Sequence, residues 1–313
     1  LPDNIALVSN TSAGLNILAL GLEWKAGDRI LLNDFEFPAN VIPFTNLQRL
    51  GVSVDFVKHR NGIIDPDDLQ KAIRPQTRLL SISFVEFLNG FRNDLAAISS
   101  ICREHDIIFS VDAIQGLGAL RMDMNQLGID FLASGGHKWL MWPAGLGVVY
   151  ISPRIFPRLY PAQAGWMGLE TPFDFFNYTQ PFADSAQRFE PGSMNTMAMI
   201  TATATLDMML NIGIDTIEEK ILTNTEFLIC SLQEAGFEIF GDVNIKHRSG
   251  IVTFFHSKAE ELFNYLRDRR VFVSLRDRKI RISPHFYNNH DDLAELISLI
   301  KKYQSTMREP KIS

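Results

Sequence analysis

The chain has 313 residues, 46% hydrophobic and 21% charged, a globular composition with room for one large unit and a smaller one. Its net charge of -6 argues against a dedicated nucleic-acid surface, and the clusters "RDRR" and "RDRK" carry interleaved aspartates and read as solvated helix and strand ends. No apolar run reaches membrane-spanning length, and the two cysteines, Cys102 and Cys230, exclude a disulfide scaffold or zinc site and point to a reducing, cytoplasmic setting.

The chain starts at Leu1 on what reads as the edge of a core strand, so a missing N-terminal segment is expected. Apolar runs at 5–8, 29–33, 52–57, 78–85, 107–113, 130–134 and 147–152 predict strands. Helix-like stretches stand between them: "SAGLNILALGL", "PANVIPFTNLQRLG", "DPDDLQKAI" with Asp65 as N-cap and Pro66 in the first turn, and "DLAAISSICREHD". This alternation with short loops indicates an α/β fold, a largely parallel sheet covered on both faces. Residues 153–195, rich in Pro, Phe, Gly and Gln, read as long ordered loops. Near Ile214 the texture changes. A long helix ("DTIEEKILTNTEFLICSLQEAG") is followed by strands "FEIFG" and "GIVTFF", helix "KAEELFNYLRDRR", strands "VFVSL" and "KIRISP", and a last helix "HDDLAELISLIKKY". The expected division is a large α/β domain over 1–213 and a small α+β domain over 214–313.

In an open α/β sheet, chemistry gathers at the carboxyl ends of the strands. The first strand ends in "SNTSAG", where Thr11 and Ser12 open a helix. That is either a plain cap or, with the free N–H groups, an anion site. The second ends in "NDFEFPAN", placing Phe37 just beyond the sheet edge. The fifth ends in "SVDAIQG", where Asp112 closes an all-apolar strand and Gln115 follows. A carboxylate there is costly unless it meets a cation or proton donor, although a helix cap is the plainer reading. The next ends in "LASGGHKW", with Lys138 lying 26 positions after Asp112. A solvated loop lysine is common; one aimed into a pocket becomes an amine able to attack carbonyl carbon. Anion cradle, flat aromatic, carboxylate and lysine together suit a heteroaromatic aldehyde bearing a phosphate, pyridoxal 5'-phosphate. The histidines show no metal spacing, so no metal is expected.

Over nearly its whole length the chain resembles the class V aminotransferases, fold-type I pyridoxal phosphate enzymes that include cysteine desulfurases and isopenicillin N epimerase-like proteins. The matching stretches are "NTSAGLN", "DFEFPAN", "SVDAIQ", "SGGHKW", "PAGLGVVY", "RFEPGSMN" and "IRISPHFYN". The resemblance implies a mostly parallel seven-stranded sheet sandwiched by helices, with a smaller α+β C-terminal domain. It implies Lys138 as the Schiff-base lysine and Asp112 on the pyridine nitrogen, both catalytic. Gln115 would meet the phenolic oxygen, Phe37 would stack on the ring, and Thr11, Ser12 and His137 would hold the phosphate. Ser193 matches a position reaching the phosphate of the partner subunit in a homodimer. Arg281 matches the arginine that grips the substrate carboxylate, where the strand pattern alone gives a solvent-facing side chain.

Departures from the family pattern narrow the reading. The stretch "VFVSLRDRKIRIS" lacks the cysteine that desulfurases need there, which excludes sulfur transfer by that route. Gly135 stands where a phosphate-binding serine is common, with Ser134 one step earlier; Phe87 replaces an asparagine and makes the pocket more apolar. Glu86 beside it reads as a loop charge rather than a pocket residue. The expected function is a class V-type aminotransferase acting on an amino acid or related amine. Epimerisation and lyase chemistry are the alternatives. A non-catalytic cofactor-binding or regulatory protein is opposed by the presence of Lys138, Asp112 and Arg281 together, and no G-x-G-x-x-G follows the first strand to support a nicotinamide enzyme.

Overall fold

Strands and helices alternate through the first 151 residues of the computed structural model, which describes residues 1–308. In chain order they are β1 (Ile5–Val8), α1 (Thr11–Gly21), β2 (Arg29–Asn33), α2 (Ile42–Thr45), β3 (Ser53–Val57) and α3 (Pro66–Ala72). There follow β4 (Thr77–Ser83), α4 (Leu95–Glu104), β5 (Ile108–Asp112), α5 (Met124–Leu127), β6 (Phe131–Gly135) and β7 (Gly147–Ile151). The strands form one sheet in the order β1-β7-β6-β5-β4-β2-β3. β7 runs antiparallel to both β1 and β6, and the remaining pairs are parallel.

Every residue of β5 and β6 is buried because both faces of the sheet are covered. Successive residues alternate between two cores: Ile108 and Phe131 pack with Leu15 and Leu18 of α1, while Phe109 and Leu132 pack with Leu95 and Ile98 of α4. Asp65 caps α3 by accepting from the Asp67 N–H at 3.0 Å, with Pro66 next, as the sequence predicts. The stretch "PANVIPFTNLQRLG" does not form one helix. Pro38 opens a 3₁₀ segment and Pro43 lies in the first turn of α2, a single turn that stands between two 3₁₀ segments.

The C-terminal part consists of α6 (Thr196–Ile212), α7 (Ile214–Glu234), β8 (Val252–Phe255), α8 (Ala259–Arg267), β9 (Ser274–Arg276), β10 (Lys279–Ile282) and α9 (His290–Arg308). The strands form an antiparallel sheet in the order β8-β10-β9. A third core lies beneath it, with Phe254 and Ile280 against Leu232 of α7, Leu262 of α8 and Ile297 of α9. α7 serves both parts: Ile217 and Ile221 pack into the large sheet's core, and Leu228 and Leu232 into the small one. The segment "FEIFG" is not a strand and joins β8 through one bridge, Ile239 to Phe254. Lys279 of "RDRK" is buried rather than solvated, with its Nζ over the rings of Phe240 and Phe255, 4.8 and 5.2 Å from their centroids. No single helix among the described residues is long and apolar enough to cross a membrane.

Candidate active site

Lys138 follows β6 in a tight turn. The Trp142 N–H donates to the Gly136 carbonyl at 2.8 Å, the Met141 N–H to the Lys138 carbonyl at 3.0 Å, and Met141 takes a left-handed φ of 56°. A Cβ at Gly136 would stand 2.2 Å from Cε3 of Trp142, so only glycine lets the turn close. The turn leaves Lys138 half-buried, with Nζ 5.9 Å from the Phe37 ring centroid. Burial pushes its pKa down to about 8 against the opposing pull of Asp112, and the charges of Arg281 and Arg276 add to the depression.

Asp112 ends β5 at 1% exposure. Its Oδ1 accepts from the Ile114 N–H at 3.0 Å, and its Oδ2 is buried without any partner. Burial lifts the carboxyl to about 6, opposed by the Ile114 bond and by Lys138. Gln115 is buried nearby; its Oε1 accepts from Trp139 Nε1 at 3.3 Å, leaving the amide N–H groups to donate elsewhere.

At the other end of the site, Thr11 starts α1 after Asn10, whose side chain accepts from the Ala13 N–H. The Thr11 hydroxyl accepts from the Gly135 N–H at 2.8 Å, tying the helix N-terminus to the end of β6 and leaving its own proton free to donate. A Cβ at Gly135 would reach His137 Nδ1 at 3.1 Å and Thr11 Oγ1 at 3.3 Å, which locates these groups around one small cradle. Burial lowers the His137 pKa, and Lys138 lowers it further. Ser12 and Phe37 border a common cavity of about 430 Å³. Ser134 turns its hydroxyl to the Gly135 carbonyl, 3.2 Å away.

These residues fit pyridoxal phosphate. A buried carboxylate oxygen without a partner suits a protonated ring nitrogen, and the Thr11–Gly135–His137 cradle at a helix N-terminus suits a phosphate. Arg281 reaches the same region from β10. Its Nη1 donates to the Phe87 carbonyl, its Nε is buried without a partner, and the Phe87 ring meets Phe37 edge-on at 5.3 Å. Ser193 stands apart. It lines a cavity of about 580 Å³ with Ser9, Ala13 and Asn16, and no other candidate residue lines that cavity.

Two carboxyls escape a reading of the sequence. Glu86 is not a loop charge: it is 0% exposed, its Oε1 accepts from Asn93 at 2.9 Å and Asn33 at 3.3 Å, and its Oε2 has no partner. Glu36 accepts from the Ser83 N–H at 2.7 Å, the Ser83 hydroxyl at 2.6 Å and Asn33 at 2.8 Å. Burial raises both, Glu36 to about 7, with Asp112 adding to the rise in each. The one signal available was a glutamate three residues past the end of each of two strands, β2 and β4.

A family model described as Aminotransferase class-V matches residues 2–296. A probable cysteine desulfurase of Methanothermobacter thermautotrophicus is 31% identical over 77% of this chain, which spans only 60% of that relative's length. One from Pyrococcus abyssi is 28% identical over 98% of this chain and 80% of its own. The apo structure of a cysteine desulfurase from Thermococcus onnurineus NA1 matches with a TM-score of 0.90 at 25% identity, covering 97% of this chain and 80% of that one.

Proposed function

The chain belongs to the class-V aminotransferase family of pyridoxal phosphate enzymes, and we propose from this that it is an aminotransferase acting on an amino acid or related amine. The observation that carries the reading is the buried, partnerless Asp112 Oδ2 electrostatically coupled to a lysine whose pKa is depressed to about 8. In this reading residues 1–213 hold the cofactor and residues 214–313 bring Arg281 to it.

When bound, pyridoxal phosphate supplies an aldehyde that joins amines covalently and a ring that accepts the electron pair released when a bond at the α-carbon breaks. Thr11, Ser12, His137 and the first N–H groups of α1 hold the phosphate. Asp112 would keep a proton on the ring nitrogen, Gln115 would donate to the phenolic oxygen, and Phe37 would stack on the ring. Lys138 would be the residue that bonds the cofactor, and its amine would take and return a proton at the substrate's α-carbon. With its pKa near 8 a substantial fraction of the amine is neutral at physiological pH, as a base requires. Arg281 orients the substrate by gripping its carboxylate as a fork. Ser193 borders a different cavity from Ser12 and Phe37, and in this reading it is assigned to the partner's phosphate in a homodimer.

A persulfide-forming cysteine is not part of the proposal. Cys102 is buried in α4, where burial pushes its thiol up to about 12, and Cys230 is exposed on α7, in neither case on the stretch before β10. Reduction with borohydride in the presence of pyridoxal phosphate, followed by peptide mapping, should label Lys138. Label on another lysine, or none, overturns the site. An amino-acid panel then separates transamination from the lyase and epimerase outcomes by keto acid, eliminated fragment or racemate.

A further inference from the structure

β9 and β10 pair antiparallel, with Lys279 opposite Arg276 and Arg281 opposite Ser274. Directly opposed residues on such a pair share a face, so Ser274, Arg276, Lys279 and Arg281 project from one side of the small sheet. Arg276 and Arg281 are diagonal neighbours on it, about 7–8 Å apart and within reach for long side chains. This is the side turned to the site, because Arg281 bonds the Phe87 carbonyl there.

The positive charges on that face are answered unevenly. Lys279 pairs with Asp277 at 2.5 Å and lies over the rings of Phe240 and Phe255. Arg276 is exposed, and its side chain bonds only the Leu275 carbonyl, at 3.0 Å, among the described residues. Arg281 likewise meets a carbonyl and no carboxylate. Burial first, and then the charge of Arg276, lowers the Arg281 pKa to about 10, so the two guanidiniums feel one another. Two like charges on one face, each without an acid, form an arrangement that a doubly anionic ligand relieves. One carboxylate saturates one guanidinium fork, and the neighbouring Phe37–Phe87 pair offers apolar surface suited to methylenes rather than to a second charge.

We propose that Arg276 is a specificity-determining residue that binds an anionic group on the substrate's side chain, while Arg281 takes the α-carboxylate. The substrate class is then an amino acid with an acidic side chain. This deepens the reading above and rests on it.

The test uses the protein loaded with pyridoxal phosphate, loading being verified by its visible absorption; failure to load tells against the proposed function and not against this step. Calorimetric titration at low ionic strength compares glutarate with butyrate, neither of which carries an amine to react. Glutarate should bind at least tenfold more tightly. Arg276→Gln should reduce that preference to within about twofold and leave butyrate unchanged, whereas Arg281→Gln should weaken both acids. Arg276→Lys should restore part of the preference, and Arg278→Gln, the same charge change on the adjacent turn, should leave it intact. Equal affinities in the native protein, equal losses of both acids in Arg276→Gln, an effect reproduced by Arg278→Gln, or no glutarate binding by loaded protein would each overturn the proposal.

Discussion

Glu36 and Glu86 receive hydrogen bonds from amides, a hydroxyl and a backbone N–H, with Asn33 donating to both. Burial therefore dominates, and the folded protein holds a proton on Glu36 up to a pH of about 7, against an ordinary value of 4.5. A carboxyl with a raised folded pKa binds more protons folded than unfolded, so its contribution is complete below pH 4.5 and declines as pH rises through 7. At 1.36 kcal/mol per unit the decline amounts to roughly 3 kcal/mol as an upper bound. Denaturant titrations across this range should show Glu36→Gln losing much less stability than the native chain. An unchanged slope would place the titration elsewhere. Lys138 and Asp112 were legible as candidates in the sequence because Asp112 ends the apolar strand β5 and Lys138 lies in the turn just past β6, at the sheet edge where chemistry gathers. Glu86 was not, since "SFVEFLNG" carries no sign that Asn33 and Asn93 enclose it. The same holds for Arg276 and Lys279: alternating charge looked solvated, and only the strand order, with Arg276 on the edge strand β9 and Lys279 on the central strand β10, separates the exposed arginine from the buried lysine.

At the level of the element, the turn from β6 to Trp142 is the part with least freedom. Gly136→Ala would drive a methyl into the Trp142 ring, and the turn already carries Met141 at positive φ. The expected cost is about 1–3 kcal/mol of stability, together with weaker retention of pyridoxal phosphate, measured by equilibrium dialysis. Retention equal to the native protein would show that the turn can reshape without moving Lys138. The seven strands of the large sheet were readable because each is a compact apolar run bounded by polar turns. α6 was missed for the opposite reason: Met197, Ile200 and Leu210 are exposed while Ala198, Ala202 and Met209 are buried, so apolar residues occupy both sides and no amphipathic stripe remains. "FEIFG" alternates like a strand, yet only one bridge ties it to β8, so periodicity did not distinguish a strand from a loop.

For the whole molecule, the exposed apolar residues of α6 add to Phe173, Phe175, Phe176 and Tyr178 of the preceding loops, all more than 60% exposed. Apolar surface of this extent marks an interface, and we expect a dimer by sedimentation. Ile200→Asp with Leu210→Asp should yield folded monomers that have lost most activity, because Ser193 no longer reaches a second site; monomers of full activity would remove that residue from the mechanism. A different consequence follows from Trp139, the immediate neighbour of Lys138. Its carbonyl accepts from His285 at 3.2 Å, and its ring lies so close to Gly250 that a Cβ there would stand 2.1 Å from Cη2. The segments flanking the C-terminal sheet therefore contact the residue next to Lys138, the proposed reacting amine. Gly250→Ala, 112 positions from Lys138, should slow borohydride labelling of that lysine and alter tryptophan emission, and unaltered emission would show the indole free of its wall. On the proposed assignment of Lys138, the indole would act as a lever through which a swing of the smaller unit reaches that lysine.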